Sequence, residues 1–184
     1  MAKKIQTPLT EEVARSLKMG EEVYITGVIL TGRDAAHKRL TEAMDKDGKA
    51  PIDLEGQIIY YVGPSPAKPG KAVGSAGPTT SYRMDAYSPQ LIRQAGLKGM
   101  IGKGPRNQAV KDAMKEKGCV YFAATGGAAA LIARAITKST PALYEELGPE
   151  AVNKYEVVDF PVVVVTDCAG NDLYEEGPKK YKKG

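Results

Sequence analysis

The chain has no tryptophan, two phenylalanines, two cysteines and a single histidine among its 184 residues. Each scarcity removes a class of function. Two cysteines, Cys119 and Cys168, do not make a disulfide framework. Each lies beside an apolar, strand-like run, where a buried reduced thiol is expected. A lone histidine, His37, cannot supply a His cluster for zinc. No Ser/His/Asp order, HExxH or CxxC pattern occurs. The positive excess is small, 26 basic against 22 acidic residues, and much of it sits in Lys179-Lys180-Tyr181-Lys182-Lys183. A charged run of this kind is expected to be a solvated, flexible tail over 178–184. With no Trp, two Phe, and tyrosines that do not alternate with a basic stripe, nucleic-acid binding is not expected. No apolar run approaches the roughly 20 residues of a membrane span, and no secretory segment opens the chain. A soluble, cytoplasmic protein is the expectation.

What is present suits one domain over residues 1–184, with 42% hydrophobic residues to build a core. Strand-like runs are read at 3–7, 22–30, 58–62, 71–75, 99–102 and 120–124. Helices are read at 11–18, 34–44, 88–94, 107–117 and 128–136. Thr10 and Asn107 are N-cap residues in this reading, and Ser88-Pro89 places proline in a first turn. Pro141 and Pro149 break the next stretch into short pieces. Val157-Val158 and Val162 to Val165 read as late strands, and Asn171-Asp172 as the turn of a closing hairpin. Alternating strands and helices imply a mixed α/β domain, with a central sheet covered by helices.

Glycine-rich loops with cations carry the functional signal. Gly77-Pro78-Thr79-Thr80-Ser81-Tyr82-Arg83-Met84-Asp85 has a stiff entry, two adjacent hydroxyls and an arginine. An arginine can grip a carboxylate in a two-pronged fork. Thr31-Gly32-Arg33-Asp34-Ala35-Ala36-His37 and Gly102-Lys103-Gly104-Pro105-Arg106-Asn107 also set a cation beside glycine. Together these loops suggest a small ligand with more than one negative charge. Arg33 stands at a helix start, where a cation is unfavourable. Either an anionic ligand or an internal salt bridge to Asp34 or a neighbour accounts for it. His37 is either a neutral-pH acid or base, or a structural histidine. Thr125-Gly126-Gly127 serves either an anion or close helix packing.

These strings, with Tyr61-Val62-Gly63-Pro64 and Thr125-Gly126-Gly127-Ala128-Ala129-Ala130, resemble the β subunit, or C-terminal domain, of class I iron–sulfur fumarate hydratases and L-tartrate dehydratases. The resemblance covers nearly the whole chain. It implies a swivelling β/β/α domain and the reversible hydration of fumarate to L-malate. The alternatives are dehydration of tartrate or a non-catalytic module binding anionic metabolites. It implies a [4Fe–4S] cluster held by a partner α subunit, with no metal bound by this chain, in an α2β2-type assembly. By resemblance Thr79 is the proton-transfer residue, and Arg33, Thr80, Arg83 and Lys103 hold a small dicarboxylate. Ser81-Tyr82 departs from the family's usual small residue and glycine. His37 has no assigned step.

Overall fold

A computed structural model describes residues 2–124 and 129–181. The seven strands described are β1 (Lys3–Gln6), β2 (Glu22–Thr31), β3 (Ile58–Tyr60), β4 (Gly99–Gly102), β5 (Val120–Ala124), β6 (Ile136–Leu143) and β7 (Val152–Thr166). The helices are α1 (Glu11–Ser16), α2 (Asp34–Asp47), α3 (Ser88–Ala95), α4 (Gln108–Lys117), α5 (Ala129–Ala135) and α6 (Leu173–Tyr181). The strand order is β1-β2-β3-β4-β5-β7-β6, and β7 also pairs with β2. β2 through β5 run parallel, and β7 is antiparallel to both β2 and β5. Strands β2, β3, β4, β5 and β7 therefore close into a ring. The mixed α/β expectation holds, with a central sheet flanked by helices.

The two faces of the sheet follow the period of two that strands impose. Ile58, Tyr60, Ile101, Val120 and Phe122 join one apolar cluster with β2 and β7 residues such as Ile25, Ile29 and Val164. Their neighbours Ile59, Tyr61, Met100 and Tyr121 join another, with Leu40 of α2, Leu91 of α3 and Met114 of α4. Near-continuous apolar runs in β3 to β5 are what burial on both faces requires. Local signals agree. The Val13 amide donates to Thr10 Oγ1 at 3.2 Å, and the Val110 amide to Asn107 Oδ1 at 3.0 Å.

Four local expectations change. The segment at 71–75 is not a strand; its backbone returns to Ser65, whose amide donates to the Ser75 carbonyl at 3.0 Å. β6 forms across Pro141, tolerated because β6 lies on the sheet edge. The two late strands are one: β7 runs through Asp159, where φ is +48° and the amide donates to Thr26 Oγ1 at 3.0 Å. The closing hairpin is instead α6. Asp172 starts it, with Oδ1 accepting from the Tyr174 amide at 2.9 Å and its carbonyl from Glu176 at 2.9 Å. α6 takes in residues 178–181 of the basic run.

Candidate functional site

Parallel pairing puts the C-terminal ends of β2, β3 and β4 side by side. Arg33 follows β2, and Lys103 follows β4. The Gly77-to-Asp85 loop is drawn into the same end. The Thr79 amide donates to the Tyr61 carbonyl at 2.7 Å, and Pro78 bridges Val62. Thr80 bridges Lys103 in parallel fashion. Residues 78–80 thus enter between the ends of β3 and β4. All five candidates come from segments at this one end: Arg33, Thr79, Thr80 and Lys103 from loops, and Arg83 from a single 3-10 turn, Ser81–Met84.

The three cations differ in what surrounds them. Arg33 Nε lies 3.4 Å from Glu150 Oε1 without forming a hydrogen bond, and its side chain is a quarter exposed. Its guanidinium lies against Gly63, where a Cβ would meet Nη1 at 2.5 Å. The internal partner of Arg33 is therefore Glu150, not Asp34. Asp34 faces Arg83 instead, at 3.6 Å from Nε. Arg83 is 45% exposed, and Lys103 is exposed with no acidic partner among the described residues. Thr79 and Thr80 are half-buried. The candidate side chains thus line an open face. A groove of about 700 Å³ lies elsewhere, between the 65–75 loop and the α5–β6 junction. Thr125-Gly126-Gly127 lies outside the described residues.

Beneath this face is a buried polar network. Arg106 is almost fully buried, and its Nε donates to Asp85 Oδ1 at 2.6 Å. Its other nitrogens reach Ser88 Oγ at 2.8 Å and the Tyr61 hydroxyl at 3.3 Å. Asp85 Oδ2 accepts from the Asn107 amide at 2.8 Å. The guanidinium also faces the rings of Tyr61 and Tyr121, at 5.3 and 5.1 Å. The glycine-flanked cation of that loop is Lys103; Arg106, three residues on, has no role in the sequence reading, and the fold assigns it to Asp85. The signal was present as an Asp and an Arg at the ends of two loop strings, but nothing in the sequence reports their burial.

His37 is fully buried on α2. Its Nδ1 lies 2.8 Å from the Arg33 carbonyl, which can only accept, so Nδ1 carries the proton. Nε2 has no partner, and the ring meets Tyr61 edge-on at 5.3 Å. Burial pushes its pKa down to about 4, so the ring is neutral near pH 7. The structural reading of His37 fits this geometry.

The cysteines do not suit a cluster. Cys119 and Cys168 are both buried, and burial pushes both thiols up, Cys168 to about 11. Cluster ligands are thiolates. Among the described residues, no three His, Cys, Asp or Glu side chains gather as a metal site. No described helix is long and apolar enough to cross a membrane.

The family model for the fumarase C-terminus matches residues 2–177. The chain belongs to the fumarase C-terminal family. It is 44% identical over 176 residues to a Geobacillus stearothermophilus protein named "Putative fumarate hydratase class I", covering 94% of this chain and 33% of that protein. It is 40% identical over 175 residues to "Fumarate hydratase class I, aerobic" of Escherichia coli (strain K12), covering 94% of this chain and 32% of that protein. It is 39% identical over 181 residues to a Methanocaldococcus jannaschii protein named "Putative L(+)-tartrate dehydratase subunit beta", covering 95% of this chain and 93% of that protein. The chain thus spans about a third of the fumarate hydratase relatives and nearly all of the tartrate dehydratase one. In this fumarase C-terminal chain, the five residues to which the resemblance assigns roles lie in segments at one end of the sheet.

Proposed function

We propose that this chain is the β subunit of a two-chain class I fumarate hydratase, which hydrates fumarate reversibly to L-malate. The observation that carries the reading is the gathering of Arg33, Arg83 and Lys103 with Thr79 and Thr80 at the ends of three neighbouring strands. A dicarboxylate needs cations at both ends, and this face offers three. Removing a proton next to a carboxylate puts extra charge on that carboxylate. Fixed cations stabilise this charge more than the ground state, which lowers the barrier. Thr79 is held by its amide on Tyr61, and its hydroxyl is assigned the proton transfer. Thr80 and the cations orient the substrate.

The buried thiols do not fit a cluster, so we assign the [4Fe–4S] group to a partner α subunit. The open face would then be completed by that chain. The relative that this chain spans almost entirely is named a subunit, which supports the two-chain arrangement. The same reading takes 1–184 as one domain of a cytoplasmic, α2β2-type assembly. That relative's name also favours a second reading, dehydration of L-tartrate. The two substrates differ by one hydroxyl.

The deciding experiment mixes this chain anaerobically with its cluster-bearing α subunit and compares turnover of malate, fumarate and tartrate. Turnover only in the mixture, fastest with malate and fumarate, is expected. Faster tartrate turnover selects the second reading. Dicarboxylate binding with no turnover of any of the three would overturn both in favour of a binding module.

A further inference from the structure

Every backbone polar group of Lys103 and Gly104 is bonded to a named partner. The Lys103 amide donates to Ser81 Oγ at 3.1 Å, and its carbonyl accepts from the Ser81 amide at 2.9 Å. The Gly104 amide donates to the Tyr174 hydroxyl at 2.8 Å, and its carbonyl accepts from the Tyr121 hydroxyl at 2.8 Å. Ser81 Oγ and the Tyr121 hydroxyl are themselves 2.8 Å apart. Ser81 and Tyr121 are fully buried.

Proton counting fixes the direction of these bonds. A phenol has one proton. That of Tyr121 goes to the Gly104 carbonyl, so the Ser81 hydroxyl is the donor between Ser81 and Tyr121. Ser81 Oγ then accepts from the Lys103 amide. Donors run one way: Lys103 amide, Ser81, Tyr121, Gly104 carbonyl. The chain begins and ends on one two-residue turn, which carries an exposed ammonium. Gly102 leaves room for this, since a Cβ there would overlap Ser81 Oγ. Burial raises the pKa of the Tyr121 hydroxyl, so it stays protonated and able to donate.

We propose that Ser81 and Tyr121 are positioning residues: they clamp the Lys103–Gly104 turn and thereby set the Lys103 ammonium against a substrate carboxylate. The inference rests on Lys103 as a substrate-binding residue. Ser81 is the same residue that joins Lys103 to the Thr79–Thr80 segment, so the clamp also fixes the distance between the cation and the two hydroxyls. A network whose members are all satisfied is worth more than its separate bonds, because each bond orients the next.

The test is a double-mutant cycle in the reconstituted two-chain enzyme. Tyr121→Phe keeps the ring and removes only the hydroxyl; Ser81→Ala breaks the chain one step earlier. Each should lower kcat/KM by roughly 5- to 100-fold, the effect of leaving a buried polar group unpaired. In a Lys103→Ala background the same substitutions should cost little more, because they act through Lys103. Hydrogen–deuterium exchange of the 102–106 segment should speed up in Tyr121→Phe. If Lys103→Ala is impaired but Tyr121→Phe and Ser81→Ala lower it further by their full factors, the positioning role is overturned and the function stands. If Lys103→Ala keeps wild-type kinetics, the site reading falls, and this inference with it.

Discussion

The guanidinium of Arg33 fills the space that a side chain at Gly63 would take. A Cβ on Gly63 would meet Arg33 Nη1 at 2.5 Å. Arg33 is flexible, so Gly63→Ala should displace it rather than unfold the chain. Losing one charge-assisted contact costs about 1.5–3 kcal/mol, roughly 10- to 150-fold in kcat/KM. The thermal midpoint of this variant should stay close to wild type. Wild-type kinetics in Gly63→Ala together with Arg33→Ala would remove Arg33 from the site.

Two substitutions at Thr79 separate a binding role from a proton-transfer role. Thr79→Val keeps the shape and loses the hydroxyl; Thr79→Ser keeps it. If the hydroxyl moves the proton, Val should lower kcat by about 10²–10⁴-fold, while Ser retains a measurable fraction. Exchange of solvent protons into malate should fall in step with kcat. A Val variant with a raised KM and unchanged kcat would make Thr79 a residue that only holds the substrate.

Arg83→Lys keeps the charge and loses the planar fork. Arg83 stands 3.6 Å from Asp34 and 45% exposed, so it can turn toward a ligand. The lysine variant should therefore lose much of the kcat/KM that Arg83→Ala loses. Equal kinetics for wild type and Arg83→Lys would show that charge alone suffices there.

The Asp85–Arg106 pair is a matter of stability. Both side chains are buried, and Asp85→Ala would leave the Arg106 charge without its acidic partner. Breaking a buried pair from one side costs about 3–5 kcal/mol. Denaturant unfolding of the single chain should show a loss of this size, far beyond that of an exposed pair such as Arg93–Glu116. A loss under about 1 kcal/mol, the scale of surface pairs, would mean that water reaches Arg106.

Acid should weaken the fold through His37. Its pKa is about 4 in the folded chain, against an ordinary 6.5. Between these values the unfolded chain binds the extra proton, so stability rises with pH. His37 therefore contributes fully above about 6.5, and its contribution is lost as pH falls toward 4. His37→Asn should flatten this part of the stability curve. An unchanged slope between pH 6.5 and 4 would show that other groups carry it.

The sequence showed the middle of the fold well, because local signals and tertiary packing agree there. β4, α4 and β5 are bounded by Gly99, Asn107, Gly118 and Val120, each of which marks an end by its own chemistry. It failed where pairing overrides composition. Pro141 reads as a breaker, yet β6 needs no bond from that nitrogen on the sheet edge. Asp159 and Pro161 read as a gap, yet Thr26 satisfies the Asp159 amide and β7 continues. The segments that hold the candidate cations were legible as strings. Which cation is spoken for was not: Arg106 and Arg83 look alike in sequence, and only the fold buries one beside Asp85 and leaves the other on the face.

β7 bonds to β2 along one edge and to β5 and β6 along the other, and its residues Val164 and Val165 belong to different apolar clusters. A local excursion of this strand would open both clusters to water at once. The domain therefore has no inexpensive way to come apart from this side. Local opening of β7 is expected to cost nearly as much as unfolding the whole unit, which slow amide exchange along this strand would show.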